Sequence, residues 1–275
     1  MKRTGLLIIV LVIVLGALPG CRKESNEDIL KVGIDLKYPP FMYLDDNGVP
    51  AGLEPDLSRA FGEYLGKEVE IVNTDFSMLI ASLETGEVDI VISDMSVTEE
   101  RKQKLDFSTG YRYGRIPVLV NKSFYDEKEI TDEMSPEEFF ALDGLKAIGL
   151  SGTFATTIPG DYGVEAAEAT EIATAIIEVT TGSSNVIVGS YVIFGDHAAN
   201  PDTTEIFLGL DQYSTSAFAV KRGNTELLEK ANEFIHTLYE DGGLYEELAE
   251  KYDEVIHEVF FSEKYGLDFV VTKPE

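Results

Sequence analysis

The chain has 275 residues, of which 44% are hydrophobic and 26% charged, a composition typical of a globular protein with one large core or two smaller ones. Its 50 acidic and 22 basic residues give a formal net charge of −28 at pH 7, which argues against binding to nucleic acid or to anionic lipid headgroups. A single cysteine excludes an intrachain disulfide.

The first predicted element is an export signal at residues 1–20. A basic start at residues 2–3 precedes an apolar run over residues 6–18, and Cys21 follows. The run is shorter than the roughly 20 apolar residues of a spanning helix, which favours a secretory signal over the alternative of an uncleaved anchor helix. The ending Leu-Pro-Gly-Cys resembles a bacterial lipobox, which implies lipid attachment at Cys21 and a protein tethered outside the cytoplasm.

After a polar tether at residues 21–28, strands and helices alternate. Strands are predicted at residues 29–34, 69–72 and 88–92, because these runs are apolar and short. Apolar residues at helical spacing predict helices that end at Gly66 and at Gly86. Such alternation builds a parallel sheet with helices on its faces.

The second half of the chain repeats part of the first. Residues 85–93 and 181–189 each contain a helix end, a glycine, an Asp or Asn three positions later and an apolar strand. A chance match of a common joint is the alternative to two lobes of similar design. Ligands collect beyond the carboxyl ends of strands in open α/β sheets, so we expect a cleft between two lobes at residues 93–94 and 189–190.

A series of short motifs runs along the chain: residues 31–35 (KVGID), 38–41 (YPPF), Gly52, Asp56, Gly86, 88–89 (VD), 96–101 (SVTEER), 105–108 (LDFS), 152–153 (GT) and 217–223 (AFAVKRG). In this order and spacing they resemble the bacterial extracellular solute-binding proteins, family 3, which serve polar amino-acid ABC transporters. The resemblance implies a type II periplasmic-binding-protein fold, α/β throughout, with two lobes joined by two hinge strands around a ligand cleft. One lobe would comprise residues 29–114 and 216–275, and the other residues 115–215.

Arg101 is the first candidate ligand-binding residue. Residues 96–99 have the form of a capping box, which places Arg101 in the first turn of a helix. A guanidinium offers a planar fork of donors that fits a carboxylate. The resemblance implies that Arg101 holds the ligand's α-carboxylate and that Ser96 adds hydrogen bonds, whereas spacing alone is equally compatible with a solvated surface arginine.

The resemblance assigns Tyr38 and Phe76 as two aromatic side chains that sandwich the ligand side chain, a role that apolar, π-faced rings suit. Core packing is the alternative for Phe76. Asp35 matches a position that contacts the distal part of some basic ligands, but it could equally cap a local turn.

The resemblance also assigns a loop of the second lobe, residues 151–154, to the carboxylate. Gly152 and Thr153 match the family's loop, while Phe154 replaces a small hydroxyl residue and narrows the pocket. Ser190 stands where typical amino-acid binders carry the aspartate that neutralises the α-ammonium. Either Asp94, which follows Ser93 at the facing strand end, supplies that charge, or the ligand has no α-ammonium.

These features predict capture of a small polar, amino-acid-like ligand by lobe closure, followed by docking on a membrane ABC permease. We expect a monomer with no cofactor and no metal. The alternative is an enzyme on the same fold that resembles cyclohexadienyl dehydratase, with Asp94 as its acid-base group; no histidine falls in a binding motif. A sensor module is a third reading. Residues 252–275 extend past the usual end of the family, and no function is assigned to them.

Overall fold

A computed structural model of the chain describes residues 28–210, 212–260 and 267–271. The predicted signal peptide, Cys21 and nearly all of the predicted tether lie outside the described residues. No helix within the described ranges has the length and apolar character needed to cross a bilayer.

The first lobe is built on a five-stranded sheet in the order β5 (Glu68–Asn73), β1 (Ile29–Ile34), β6 (Ile90–Val91), β13 (Tyr213–Lys221) and β7 (Leu105–Arg115). Strand β1 is parallel to β5 and β6, and β13 is antiparallel to β6 and β7. The prediction of a parallel sheet with helices is therefore confirmed for its first three strands. The elements up to the hinge are β1 (Ile29–Ile34), β2 (Lys37–Tyr38), β3 (Met42–Leu44), β4 (Pro50–Ala51), α1 (Leu53–Leu65), β5 (Glu68–Asn73), α2 (Leu79–Thr85), β6 (Ile90–Val91), α3 (Glu99–Lys102) and β7 (Leu105–Arg115).

The second lobe consists of β8–β12 and α4–α8. Strand β8 pairs antiparallel with β11 and β12, and β9 pairs parallel with β10. A single bridge between Ala147 and Val186 connects the two groups of strands. Its elements are β8 (Val118–Asn121), α4 (Lys122–Glu127), α5 (Pro136–Phe140), β9 (Ile148–Leu150), α6 (Phe154–Asp161), β10 (Ala167–Ala169), α7 (Ile172–Thr181), β11 (Val186–Val188), α8 (Ile193–Ala199) and β12 (Thr204–Phe207).

The chain returns to the first lobe through β13 (Tyr213–Lys221), which pairs with β7 along most of its length. These two strands run side by side between the lobes, with Tyr213 opposite Arg115 at the second-lobe end. They form the hinge that the sequence predicts. The residue boundaries of the lobes stay a prediction.

The repeated segment has the same local geometry in both lobes. Gly86 and Gly182 each end a helix in the left-handed conformation, with φ of 79°. Three positions later, the side chain of Asp89 accepts a hydrogen bond from the backbone N–H of Lys31 in β1, and the side chain of Asn185 accepts one from the backbone N–H of Lys146, just before β9. The two helix-to-strand joints are therefore equivalent in structure as well as in sequence.

Helices α9 (Thr225–Thr237), α10 (Leu244–Phe260) and α11 (Leu267–Val270) complete the first lobe. Buried residues of α10 and α11, including Ile256 and Val270, join its main core. Phe260 also contacts Phe194 of α8, with ring centroids 4.2 Å apart. The described part of the extension beyond residue 252 thus belongs to the first-lobe core and touches the second lobe.

Candidate ligand-binding cleft

A cleft lies between the lobes at the strand ends that the sequence predicts. Its cavity volume is about 80 Å³. Nine of the eleven predicted ligand-binding residues line it, Gly152 lines an adjoining cavity, and Asp35 is in neither wall. The lining residues are Tyr38, Met42, Phe76, Ser93, Asp94, Ser96 and Arg101 from the first lobe, and Leu150, Thr153, Phe154, Ala155, Ile172, Ile187, Val188, Gly189, Ser190, Val192 and Ile193 from the second.

Helix α3 positions Arg101, but not through the predicted capping box, which is wrong. The N-cap is Thr98, whose hydroxyl accepts from the backbone N–H of Arg101 at 3.2 Å. Ser96 instead forms a β-bridge with Ser216 of the hinge, so tertiary strand pairing overrides the local capping signal. Arg101 still lies in the first turn, as predicted.

Arg101 is 6% exposed, and its guanidinium contacts both lobes. It donates to the carbonyl of Ser96 at 2.9 Å and, across the cleft, to the carbonyl of Gly152 at 3.2 Å. Its central carbon lies 5.2 Å from the centroid of the Phe76 ring. Among the described residues Arg101 makes no ion pair. Burial lowers the pKa of Arg101, since an unpaired buried cation is disfavoured.

The two predicted aromatic residues enter the cleft from different elements. Tyr38 ends β2 and is buried, and Phe76 begins a single 3-10 turn that leads into α2. The backbone N–H of Phe76 donates to Asp35 at 3.0 Å. Asp35 therefore lies behind the wall and supports Phe76. Burial raises the pKa of Asp35 to about 6, opposed by Lys37 at 3.9 Å.

The second-lobe wall is formed at the start of α6 and by β11 with the residues after it. Thr153 is the N-cap of α6: its hydroxyl accepts from the N–H of Ala155 at 3.2 Å and donates to the carbonyl of Leu150 at 2.7 Å. Phe154 follows as the first helical residue. Sequence reasoning missed the aliphatic members of this wall, because apolar strand and helix residues look the same whether they face a core or a cleft. They are Leu150, Ile172, Ile187, Val188, Val192 and Ile193.

Asp94 is held by a fully buried arginine that the sequence analysis also missed. Arg112 of β7 is 1% exposed, and its Nε donates to Asp94 Oδ1 at 3.3 Å. The Ser216 hydroxyl donates to the same oxygen. Asp94 itself adopts φ of 46°, a left-handed conformation that Asp tolerates better than most residues. Arg112 also donates to the Ser214 hydroxyl at 3.2 Å, so one side chain ties Asp94 to both hinge strands.

A buried hydrogen-bond network continues behind this ion pair. The Arg112 guanidinium lies 5.0 Å from the centroid of the Tyr191 ring, and the Tyr191 hydroxyl donates to Glu54 Oε1 at 2.9 Å. Tyr111 donates to the same oxygen at 2.6 Å. Burial and the nearby Asp94 raise the pKa of the fully buried Glu54 to about 7. Tyr191 thus links the second lobe to the first beneath the cleft.

Comparison with known sequences identifies relatives over most of the chain. The profile of the bacterial extracellular solute-binding proteins, family 3, matches residues 30–254. The L-cystine-binding protein TcyJ of Escherichia coli strain K12 is 26% identical over 233 residues, 84% of each chain. The arginine-binding extracellular protein ArtP of Bacillus subtilis strain 168 is 25% identical over 255 residues, 90% of this chain and 96% of that protein.

Solved structures agree on the fold. An ancestral arginine-binding protein bound to arginine superposes with a TM-score of 0.68 at 30% identity and covers 82% of this chain and 98% of its own. The ancestral amino-acid-binding protein AncCDT-1, described as a precursor of cyclohexadienyl dehydratase, gives a TM-score of 0.70 at 29% identity, covering 82% and 96%. The two-lobed type II periplasmic-binding-protein fold is thereby confirmed.

Proposed function

We propose that this chain, which belongs to the bacterial extracellular solute-binding proteins of family 3, captures a small amino-acid-like carboxylate for an ABC importer. The observation that carries the proposal is Arg101: a buried arginine that lines the cleft between the lobes and makes no ion pair among the described residues. An unpaired buried cation is costly, and a bound carboxylate offsets that cost through charge-assisted hydrogen bonds.

Closure of the lobes would couple binding to a change of shape. Arg101 of the first lobe and Thr153 of the second line the same cleft, so one ligand can contact both walls. A ligand that contacts both walls binds the closed form better than the open form, and this difference drives closure. We assign residues 29–114 and 216–275 to the first lobe and residues 115–215 to the second.

Membership of an extracellular solute-binding family implies a location outside the cytoplasm. We further propose that a lipid attached to Cys21 anchors the protein to the membrane. The lone cysteine, the apolar run before it and the polar residues after it support this step. The closed monomer would then deliver its ligand to a membrane permease. Cys21→Ser should release protein from the membrane or block its processing; unchanged membrane retention with an intact amino terminus would instead indicate an anchor helix.

Binding rather than catalysis is favoured by the state of Asp94. Within the described part of the cleft it is the only carboxylate in the wall, and Arg112 and Ser216 both donate to one of its oxygens. A general base needs a free acceptor oxygen within reach of the substrate proton, whereas this oxygen already accepts two hydrogen bonds from the protein. The relatives named above are likewise binding proteins.

Calorimetry with Arg101→Lys tests the proposal. The lysine keeps the charge but loses the planar fork, so we expect carboxylate ligands to bind at least about 2 kcal/mol more weakly, with little change in melting temperature. Arg59→Lys is the matched control, because Arg59 is an exposed arginine of α1 that pairs with Asp56 away from the cleft. Unchanged affinity in Arg101→Lys, with a lower melting temperature, would assign Arg101 to structure. Mass spectrometry of protein purified from its own host would identify the bound ligand.

A further inference from the structure

The cleft contains two charged side chains with different electrostatic surroundings. Arg101 lacks an anionic partner within the described residues, whereas Asp94 is paired with Arg112. Arg112 does not line the cleft and is paired with Asp94, so the two charges largely cancel at the position of a ligand. Glu100 and Asp94 act on Arg101 only at a distance and form no ion pair with it among the described residues. The first-lobe wall of the cleft, counted with Arg112, therefore has a net charge of one positive unit from Arg101, Asp94 and Arg112.

A ligand that compensates this charge has a net charge of −1. A zwitterionic amino acid brings a carboxylate to Arg101 but also an ammonium, and the sum of charges in the closed cleft stays positive. A second cation beside Asp94 would share a carboxylate that Arg112 already neutralises, which yields little when all three groups are buried. Ser190, on the opposite wall, is neutral and can bond to an amine, a hydroxyl or a carbonyl oxygen equally well.

Resting on the proposed function, we propose that the Asp94–Arg112 pair removes the requirement for an amine, so that the protein binds 2-oxo and 2-hydroxy monocarboxylates with apolar side groups at least as readily as the corresponding amino acids. Arg112 is a positioning residue here, because it acts through Asp94 and touches no ligand. We expect the side group of the ligand to be apolar because the second-lobe wall is aliphatic and the rings of Tyr38 and Phe76 line the other side.

Other ionisable groups near the Asp94–Arg112 pair do not change the net charge of the cleft under the conditions of the test. Glu54 lies behind Tyr191, and Asp196 of α8 has a buried carboxylate oxygen without a hydrogen bond among the described residues. Burial raises the pKa of each to about 7 and the pKa of Asp35, beside Lys37, to about 6. All three carboxyl groups are therefore largely neutral at about pH 5, and measurements at that pH isolate the cleft charges.

The test is calorimetry of matched triplets at this pH: leucine, 4-methyl-2-oxopentanoate and 2-hydroxy-4-methylpentanoate, with the alanine and phenylalanine triplets beside them and arginine as a cationic probe. We expect both deaminated acids of the best triplet to bind within about tenfold of the amino acid or more tightly. An amino acid bound more than about tenfold more tightly than its deaminated counterparts, or binding of arginine alone, overturns the inference and leaves the proposed function standing. Binding of none of the probes would count against both.

Three variants test whether the Asp94–Arg112 pair is the cause of this preference. Arg112→Met leaves Asp94 uncompensated and should shift preference toward the amino acid by about tenfold or more, and Arg112→Met with Asp94→Asn should restore the original ratio. Arg115→Met is the control, because Arg115 lies on the same strand, exposed, over the Tyr213 ring at 5.9 Å. Ser190→Asp leaves the network intact and should produce the same shift even if Arg112→Met does not fold. A ratio unchanged in Ser190→Asp overturns the inference.

Discussion

The two walls of the cleft differ in how their chemistry is held in place. On the first lobe, Arg101 and Asp94 are fixed by hydrogen bonds to Ser96, Ser216 and Arg112, so the charged groups are oriented before a ligand arrives. On the second lobe the wall is largely aliphatic, and its polar members, Thr153 and Ser190, are neutral.

This difference suggests a division of labour. Directional, charge-assisted bonds need groups held in a set geometry, which the first lobe provides. The stabilisation from apolar burial is non-directional and grows with the buried area. The second lobe can therefore strengthen ligand binding as it closes, without matching the polar atoms of the ligand. Under the proposed function, the first wall would select the carboxylate, and the second would select the size and polarity of the side group.

The largest expected effect is on the pH dependence of folding stability and concerns Glu54, which accepts a hydrogen bond from Tyr191 of the second lobe. The pKa of Glu54 is raised from 4.5 to about 7 in the folded protein, so the folded state holds its proton more tightly than the unfolded state. The stability that results is fully present below about pH 4.5 and is lost as the pH rises to about 7, a difference of about 3 kcal/mol. Glu54→Gln should flatten this part of the stability curve.

Urea unfolding of the wild type and Glu54→Gln across this pH range measures the effect. Asp35 and Asp196 have raised pKa values for the same reason, so part of the slope should remain in the variant. Glu63→Gln, a substitution on the exposed side of the same helix, is the control and should keep the full slope. Identical slopes in wild type and Glu54→Gln would show that Glu54 is ionised in the folded protein.

A smaller effect, on ligand affinity, is expected when a polar residue replaces an aromatic one in the second-lobe wall. Phe154→Ser should widen the cleft and weaken binding of ligands with small apolar side groups by about 1–2 kcal/mol, because apolar contact area is lost. Ligands with larger side groups should lose less. Ile177→Ser removes an exposed apolar side chain from α7 of the same lobe and is the control. If calorimetry shows equal losses for small and large side groups, Phe154 does not set the size of the pocket.

Local sequence patterns predict the helices and strands of this fold well. They do not predict contacts between residues that are distant in the sequence. Helix α1 is evident from Leu57 and Phe61 at helical spacing and from Gly66 at its end, all signals within one segment. By contrast, Arg112 meets Ser214 only because β7 and β13 pair across about a hundred residues of sequence, and the backbone bridge of Ser96 with Ser216 spans a similar separation. No spacing in the sequence marks such contacts.

The smallest expected effect lies at the mouth of the cleft, where one lysine of the first lobe reaches the second. Lys37 donates to Asp75 at 2.6 Å and to Glu171, in the second lobe, at 2.7 Å, and its side chain is one-third exposed. Exposed ion pairs contribute about 0–1 kcal/mol and are screened by salt. Lys37→Met should therefore weaken ligand binding by less than about 1 kcal/mol at low salt, and by nothing measurable at about 1 M salt. Lys102→Met, which breaks an exposed pair within α3, is the control. A salt-independent loss of several kcal/mol in ligand-binding free energy would contradict this expectation. It would mean that the Lys37–Glu171 ion pair, rather than apolar burial, holds the lobes closed.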